Sequence, residues 1–260
     1  MHPLCNAARI SAIDNKSNEV VDWIIMITVS LNKLSLQPGY RILDIGCGAG
    51  RHVCACTRSE GVQVWGVDQC LPDLLKAKEN LNFEKAYGVS HGIWQLLSGD
   101  ILHLPFSDNF FDLVICSEVL EHIIDDTSAM KEIIRVLKNN KNLIVSVPRN
   151  APERLCWALS KEYRNSPGGH VRIYKQTELV HRLESLGIKL WDSHHAHGLH
   201  SIYWWLKCFV GISRDNHFCV KCYHDFLVWD MIHKSRWVRL LERMLNPMIG
   251  KSLVLYFQKK

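Results

Sequence analysis

No stretch of the 260-residue sequence reaches about 18 uninterrupted apolar residues, which excludes a membrane-spanning helix on the reading of the sequence. The first twenty residues, MHPLCNAARISAIDNKSNEV, lack the basic region followed by an apolar run that marks a secretion signal. No internal repeat and no low-complexity segment is present. Charge of neither sign dominates: 31 Lys and Arg face 26 Asp and Glu, a net of +5 that permits acidic partners without demanding them. Ten cysteines are too thinly spread for a small disulfide scaffold, and one of them, Cys116, sits within an expected core strand. These absences lead us to expect a soluble, reduced, cytoplasmic protein, and the length suits one large α/β domain or two small ones. What the chain has in plenty is Trp (nine) and His (fourteen). Nine of its 24 aromatic residues fall between Gly198 and Gly250.

Apolar residues recur at helical spacing from Ser17 to Leu36, with Ser17 as a plausible N-cap and Pro38-Gly39 as a stop. Strands are then expected at Arg41–Ile45, Gln63–Val67, Trp94–Gly99, Phe111–Cys116 and Asn142–Val147. Helices are expected from Arg51, at Pro72–Leu81 and at Asp126–Leu137. A helix at Gln176–Leu186 and strands at Ile188–Asp192 and Ser252–Gln258 complete the set. This alternation implies an α/β fold with a doubly wound sheet and helices on both faces. Two pieces stand outside it, Arg149–Tyr174 and Gly198–Gly250. Both leave from carboxyl ends of strands, the edge at which open α/β sheets bind ligands.

The expected layout is an N-terminal helical segment (1–37), a core (38–197) with a lid-like insertion (149–174), a substrate-cap insertion (198–250) and a last strand (251–260).

The strongest motif is Leu43-Asp44-Ile45-Gly46-Cys47-Gly48-Ala49-Gly50, an acidic strand end running into alternate glycines. Glycine lets the backbone turn sharply and lets a ligand approach without meeting a Cβ. The dinucleotide pattern would need glycine where Arg51 stands, and the Gly-Lys-Ser/Thr ending of a phosphate loop is absent. The loop therefore approaches something other than a pyrophosphate. Asp68 follows Gly50 by 18 residues at the end of the second strand, placed to accept from a ribose diol. Asp100 ends the third strand and suits an exocyclic adenine amine.

On LDIGCGAG, VWGVD, SGDILHLPFSDNFFDLVICSEVLEHI and ELVHRLESLGI, in that order, the chain resembles class I S-adenosylmethionine-dependent methyltransferases, particularly the group containing ubiquinone and menaquinone biosynthesis enzymes. The resemblance covers about residues 39–190. It implies a seven-stranded Rossmann-like sheet with an antiparallel last strand, S-adenosylmethionine as methyl donor and S-adenosylhomocysteine as product. It also implies that Asp44, Gly46, Cys47, Gly48 and Gly50 surround the methionyl part and that Asp68 holds the ribose. Asp100 and Ile101 would meet the adenine, Gln69 would lie beside ribose or adenine, and Cys116, Ser117 and Glu118 would close over the methionyl end.

A sulfonium already activates its methyl group, so alignment and exclusion of water are the main tasks, and a base is needed only for an acceptor that must lose a proton. His122 and His170 are the candidates for that base, each with a structural alternative: a loop-tying hydrogen bond for His122, a capped helix entry for His170. Gly168-Gly169 suggests a hinge before His170, and Arg172 and Tyr174 are placed to meet a polar acceptor group. His194, His195, His197 and His200, followed by Cys219 and Cys222, raise the question of zinc; a single Cys-x-x-Cys is a weak signal, and we expect no metal and a histidine-lined wall instead. His197, His200, Tyr203 and Trp204 are the expected substrate contacts there. The aromatic insertion reads as a greasy cap, as an interfacial helix touching a membrane surface, or as a lobe or dimer interface with its own core. We expect a small-molecule methyltransferase with a hydrophobic or aromatic acceptor (lipid, isoprenoid or secondary metabolite), acting as monomer or homodimer. The alternatives are an RNA or protein methyltransferase, for which no nucleic-acid-binding motif speaks, and a non-catalytic cofactor-binding protein.

Overall fold

The computed structural model describes residues 27–166, 168–233 and 235–260. These fall into two compact units. The first comprises Ile27–Val147, Gln176–Ser193 and Val254–Lys260; the second comprises Pro148–Lys175 and His194–Leu253.

The first unit is built on a seven-stranded mixed sheet: β1 (Arg41–Ile45), β2 (Gln63–Asp68), β3 (Ile93–Ser98), β4 (Phe111–Ser117), β5 (Leu137–Pro148), β6 (Ile188–Ala196) and β7 (Ser252–Lys259). Their order is β3-β2-β1-β4-β5-β7-β6, and the pairs β3–β2, β2–β1, β1–β4 and β4–β5 are parallel. The chain reverses its direction of travel across the sheet between β1 and β4, the switch point at which such sheets bind ligands. Central position explains the composition of β1 and β4. Ile42–Ile45 and all of Phe111–Ser117 are buried, as strands covered on both faces must be. Helices α1 (Arg51–Thr57), α2 (Leu71–Ala86), α3 (Asp126–Val136) and α6 (Gln176–Glu184) flank the sheet. Asp125 caps α3 by accepting from the Ser128 N–H, and Arg182 of α6 donates to both oxygens of the buried Asp126 at 2.8 and 2.6 Å.

Three sequence expectations shift here. The helix expected over Ser17–Leu36 is not helical where it is described: residues 27–36 are extended around one short 3-10 turn at Leu31–Lys33, and residues 17–26 lie outside the described part. Long-range contacts replace helical ones in this stretch. The Ser30 N–H donates to the Tyr256 hydroxyl at 2.9 Å, and Lys33 pairs with Asp192 at 2.6 Å. Strand β5 begins five residues before the expected Asn142, because Lys138 and Lys141 reach back to Asp112 at 2.8 and 3.3 Å. Strand β6 continues through His194 and His195 to Ala196 rather than ending at Asp192.

The second unit is helical. It contains α4 (Asn150–Leu159), α5 (Lys161–Arg164), α7 (Gly198–Val210), α8 (Phe218–His233) and α9 (Arg236–Ile249). The segment between β6 and β7 therefore holds three helices. Three hydrogen bonds register them: the Gly198 N–H donates to Asn246 Oδ1 (2.8 Å), Ser201 Oγ to the Ile249 carbonyl (2.5 Å) and the Tyr223 hydroxyl to the Leu199 carbonyl (3.1 Å). Trp205 Nε1 ties α7 to α4 through the Pro152 carbonyl at 3.1 Å. Among the described residues no helix is long and apolar enough to cross a membrane.

Candidate functional site

The glycine loop between β1 and α1 turns its own N–H groups inward. Gly46 and Cys47 both donate to the Val67 carbonyl, at 2.8 and 3.1 Å, and Gly48 donates to Asp68 Oδ2 at 2.8 Å. Gly50 donates to the Cys47 carbonyl at 2.9 Å. A phosphate cradle needs such N–H groups free and convergent on an anion. Here they are spent on the end of β2, which is the physical reason the loop fits something other than a pyrophosphate.

Two glycines carry the shape. A Cβ on Gly46 would stand 2.3 Å from Val119 Cγ2, so β4's following turn packs on the bare backbone. Gly48, at φ +51°, would project its Cβ into open space, which leaves the main chain accessible to a ligand.

Three carboxylates gather at the carboxyl ends of β1, β2 and β3. Asp68 Oδ1 also accepts from the Cys70 N–H at 2.8 Å, so each of its oxygens holds one loop N–H and keeps a further lone pair for a ligand. Asp100 accepts from the Leu102 N–H at 3.0 Å through one oxygen. Asp44 is buried beside His52, whose Nδ1 lies 3.7 Å from Asp44 Oδ1, and among the described residues Asp44 Oδ2 has no hydrogen-bond partner. Burial pushes the His52 pKa below its ordinary value against the opposing pull of Asp44, which keeps the imidazole neutral.

The other expected cofactor residues divide by exposure. Gln69 is exposed, whereas Ile101 is buried. The Cys47 thiol is buried against α1 and β2, within 3.0 Å of where a Gly66 Cβ would be, and burial pushes its pKa far up. Cys116 is fully enclosed in β4, so any contact it makes with a ligand is through its main chain. Ser117 and Glu118 belong to a polar chain that the sequence does not announce. Arg51 Nη2 donates to Ser117 Oγ (3.3 Å), Ser117 Oγ lies 2.8 Å from Ser146 Oγ, and Ser146 Oγ donates to Glu118 Oε1 (3.1 Å). The Glu118 N–H donates to the Ser146 carbonyl (2.9 Å) and holds Glu118 at φ +58°, a conformation unusual for a residue with a Cβ. His122 closes the 3-10 turn Leu120–His122 by donating its N–H to the Val119 carbonyl, with its side chain half-buried.

These residues fit S-adenosylmethionine on the chemistry of the donor set. The ribose diol and the adenine amine require acceptors, which Asp68 and Asp100 offer. The α-ammonium requires an anion or carbonyl, and the buried Asp44 carboxylate stands at the end of β1 directly before the glycine loop.

The second unit has its own constellation. His170 Nδ1 lies 2.6 Å from Oε1 of Glu153, a carboxylate 1% exposed. The Tyr163 hydroxyl donates to Glu153 Oε2 at 3.3 Å. Burial pushes the Glu153 pKa up, but His170, Lys251 and Tyr163 together hold it below the usual carboxylate value. Tyr163 packs on Trp204 (ring centroids 5.6 Å apart), and Trp204 carries the Lys251 ammonium over its face at 4.7 Å and Tyr203 at its side at 5.9 Å. Aromatic contacts continue through Tyr203, Tyr223, Phe226 and Trp229. His170, Tyr203 and Trp204 are thus brought together around Glu153 and Tyr163, neither of which the sequence singled out. The signal was there: Glu153 is an acidic residue on the apolar face of α4, a position that needs a partner. Tyr174 is buried and its carbonyl accepts from Asn150 at 3.4 Å, while Arg172 is half-buried.

His197 and His200 pack ring against ring at 5.7 Å. With Glu242 they bring ligand-type atoms within 4.8 Å of one another. Cys219 and Cys222 are exposed free thiols on α8. The potential ligand set is therefore His, His and Glu from α9, not the Cys-x-x-Cys weighed from sequence. Burial, with Lys251 and His224, pushes the His200 pKa from 6.5 to about 4.

Residues 43–145 match the family model described as "Methyltransferase domain". The sequence is 29% identical over 154 residues to a cycloartenol-C-24-methyltransferase of rice, covering 59% of this chain and 41% of that protein. The chain spans less than half the length of the curated relatives it first matches. Among solved structures, an S-adenosylmethionine-dependent methyltransferase from Aquifex aeolicus shares the fold (TM-score 0.52, 15% identity, covering 88% of this chain and 87% of that one). So does the [4+2]-cyclase SpnF (TM-score 0.56, 17% identity, covering 99% and 86%).

Proposed function

We propose that this chain, whose residues 43–145 are a class I S-adenosylmethionine-dependent methyltransferase domain, methylates a small hydrophobic or aromatic acceptor in the cytoplasm. The observation that carries the reading is the buried Glu153–His170 pair set beside the aromatic wall of Tyr163, Trp204 and Tyr203. A nucleic-acid acceptor would call for a basic, solvent-facing track, and these residues offer an apolar surface with one base instead. The rice relative is named for cycloartenol, an apolar acceptor of the proposed class.

When bound, S-adenosylmethionine supplies a methyl group on a sulfonium, open to in-line displacement. The chain's residues do the rest. Asp68 accepts from the ribose diol while holding the glycine loop by the Gly48 N–H and its own turn by the Cys70 N–H. Asp100 accepts from the adenine amine, and Asp44, Gly46, Cys47, Gly48 and Gly50 line the methionyl part, with Ser117 and Glu118 closing it through the Ser146 chain. His170, with Nδ1 held by Glu153, takes the acceptor proton at Nε2; a buried carboxylate fixes the tautomer and steadies the imidazolium that forms. Within the second unit, Tyr163 and Trp204 pack beside the Glu153–His170 pair and shield proton transfer from an acceptor held there against competing solvent. His122 is the second base, serving an acceptor that presents its proton toward the turn after β4.

A non-catalytic or non-methylating reading has one specific observation in its favour: SpnF, a cyclase, shares the fold. Transfer of a tritiated methyl group onto cell extract separated into organic-soluble, RNA and protein fractions distinguishes the readings. We expect label in the organic-soluble fraction. Label confined to RNA or protein overturns the acceptor class, and cofactor binding without transfer to any fraction overturns methylation.

A further inference from the structure

Helix α9 presents three sectors to three different environments. Val238, Leu245 and Ile249, with Glu242 and Asn246, face inward, where Leu245 and Asn246 pack on Gly198 of α7. Trp237, Leu240, Leu241, Met244 and Met248, at the i, i+3, i+4, i+7, i+11 spacing of one helical stripe, face solvent. Their exposures run from 46% for Leu241 to 81% for Trp237. Arg236, Arg239 and Arg243 form the third stripe, alongside the apolar one and also exposed. The helix's one carboxylate, Glu242, lies in the inward sector, so the exposed surface is apolar and cationic only.

A soluble surface helix has one apolar stripe, turned to the core. This helix has a second one turned outward, and burial of those five side chains would remove from water a contiguous patch of the kind that marks an interaction site. We propose that α9 lies in the interface of an anionic lipid bilayer, with its apolar stripe among the upper acyl chains and its arginines on the headgroup phosphates. Two features select a bilayer over a second copy of the chain. In a twofold dimer that pairs two copies of α9 antiparallel through this stripe, each arginine row would approach its own symmetry mate with no exposed carboxylate on the helix to meet it. A leaflet carries a uniform layer of anions at the depth where the arginines sit, beside hydrocarbon at the depth of the stripe. Trp237, the most exposed of the five, suits the boundary between the two. At 14 residues α9 lies on the surface and does not span it. The proposal is independent of the acceptor's identity: it concerns where the second unit sits in the cell, and an apolar acceptor would be found in the same phase.

The test is co-sedimentation of the full chain with vesicles of phosphatidylcholine alone and of phosphatidylcholine mixed with phosphatidylglycerol. We expect sedimentation on the anionic vesicles, weakened at least tenfold on the neutral ones and by added salt. Leu240→Glu with Met244→Glu, and separately Arg239→Glu with Arg243→Glu, should each reduce binding by about a hundredfold at unchanged circular dichroism and unchanged S-adenosylhomocysteine affinity. No binding of the folded wild-type chain to anionic vesicles overturns the proposal. So does equal binding by the variants. A dimer in light scattering that Leu240→Glu with Met244→Glu dissociates, without vesicle binding, assigns the stripe to a second copy instead. Loss of S-adenosylhomocysteine binding is a failure of the methyltransferase reading, and vesicle binding by the wild-type chain stands or falls without it.

Discussion

Replacing Asp68 by Ala removes the one side chain that serves both the glycine loop and, on our account, the cofactor ribose. Its two oxygens accept from the Gly48 and Cys70 N–H groups, each at 2.8 Å. A hydrogen bond to a charged partner contributes about 1.5–3 kcal/mol net, and partial exposure of Asp68 places these two toward the lower end. Loss of both should therefore lower unfolding free energy by about 3–4 kcal/mol. The diol contacts add a separate loss in binding of about 1.5–3 kcal/mol, or roughly 10- to 150-fold in affinity for S-adenosylhomocysteine. Asp68→Asn divides the two effects. It keeps an acceptor for one loop N–H but loses the charge, so the stability loss should roughly halve while affinity still falls at least tenfold. Titration calorimetry gives the affinities and urea unfolding the stabilities. A folded Asp68→Ala variant that binds S-adenosylhomocysteine within twofold of wild type would refute the assigned role.

Other expectations follow from single contacts. Gly46→Ala should cost more than about 2 kcal/mol, because its Cβ meets Val119 Cγ2 at 2.3 Å in a left-handed conformation, and adding Val119→Ala should recover part of it in urea unfolding. His200 binds its proton less readily folded (about 4) than unfolded (6.5), so the stability it contributes is complete above pH 6.5 and falls by about 3 kcal/mol as pH drops to 4. His200→Asn should flatten that slope; an unchanged slope would show that His200 is not the group responsible. Glu153→Gln and His170→Gln should each lower methyl transfer by about 10²–10⁴ and abolish the acidic limb of its pH profile, with little further loss in the double variant. Additive losses would mean that the two do not act as one unit. Trp204→Ala should raise the acceptor KM while leaving S-adenosylhomocysteine affinity within twofold, measured by calorimetry.

Most of the sheet was legible because its strands are short and buried on both faces: Arg41–Ile45 and Phe111–Ser117 announce themselves as apolar runs ended by glycine or polar residues. The sheet edge was less legible. Strand β6 continues through His194 and His195, which are both half-buried and carry no apolar face for a pattern to register. Residues 27–36 have helical spacing but take an extended path, since hydrogen bonds to Tyr256 and Asp192, more than 150 residues away, decide their conformation. At the candidate site, spacing exposes the carboxylates at strand ends and hides their partners. Ser146 and Glu153 acquire meaning only when folding sets them against Glu118 and His170. The same limit holds for α9: its sequence shows apolar and cationic residues interleaved, and only the packing of Leu245 and Asn246 on Gly198 tells which stripe remains in water.

The central claim is methyl transfer to an apolar small molecule, and deuterated-methyl S-adenosylmethionine tests it most directly. The chain and an Asp68→Ala control are incubated with the organic extract of cells, and the organic phase is searched by mass spectrometry. The account predicts one or more organic-soluble compounds carrying the deuterated methyl with the wild-type chain and at least tenfold less of them with the variant at subsaturating donor. Deuterium recovered only in RNA or protein when those fractions are offered, or in no product from a chain that binds S-adenosylhomocysteine, would contradict it.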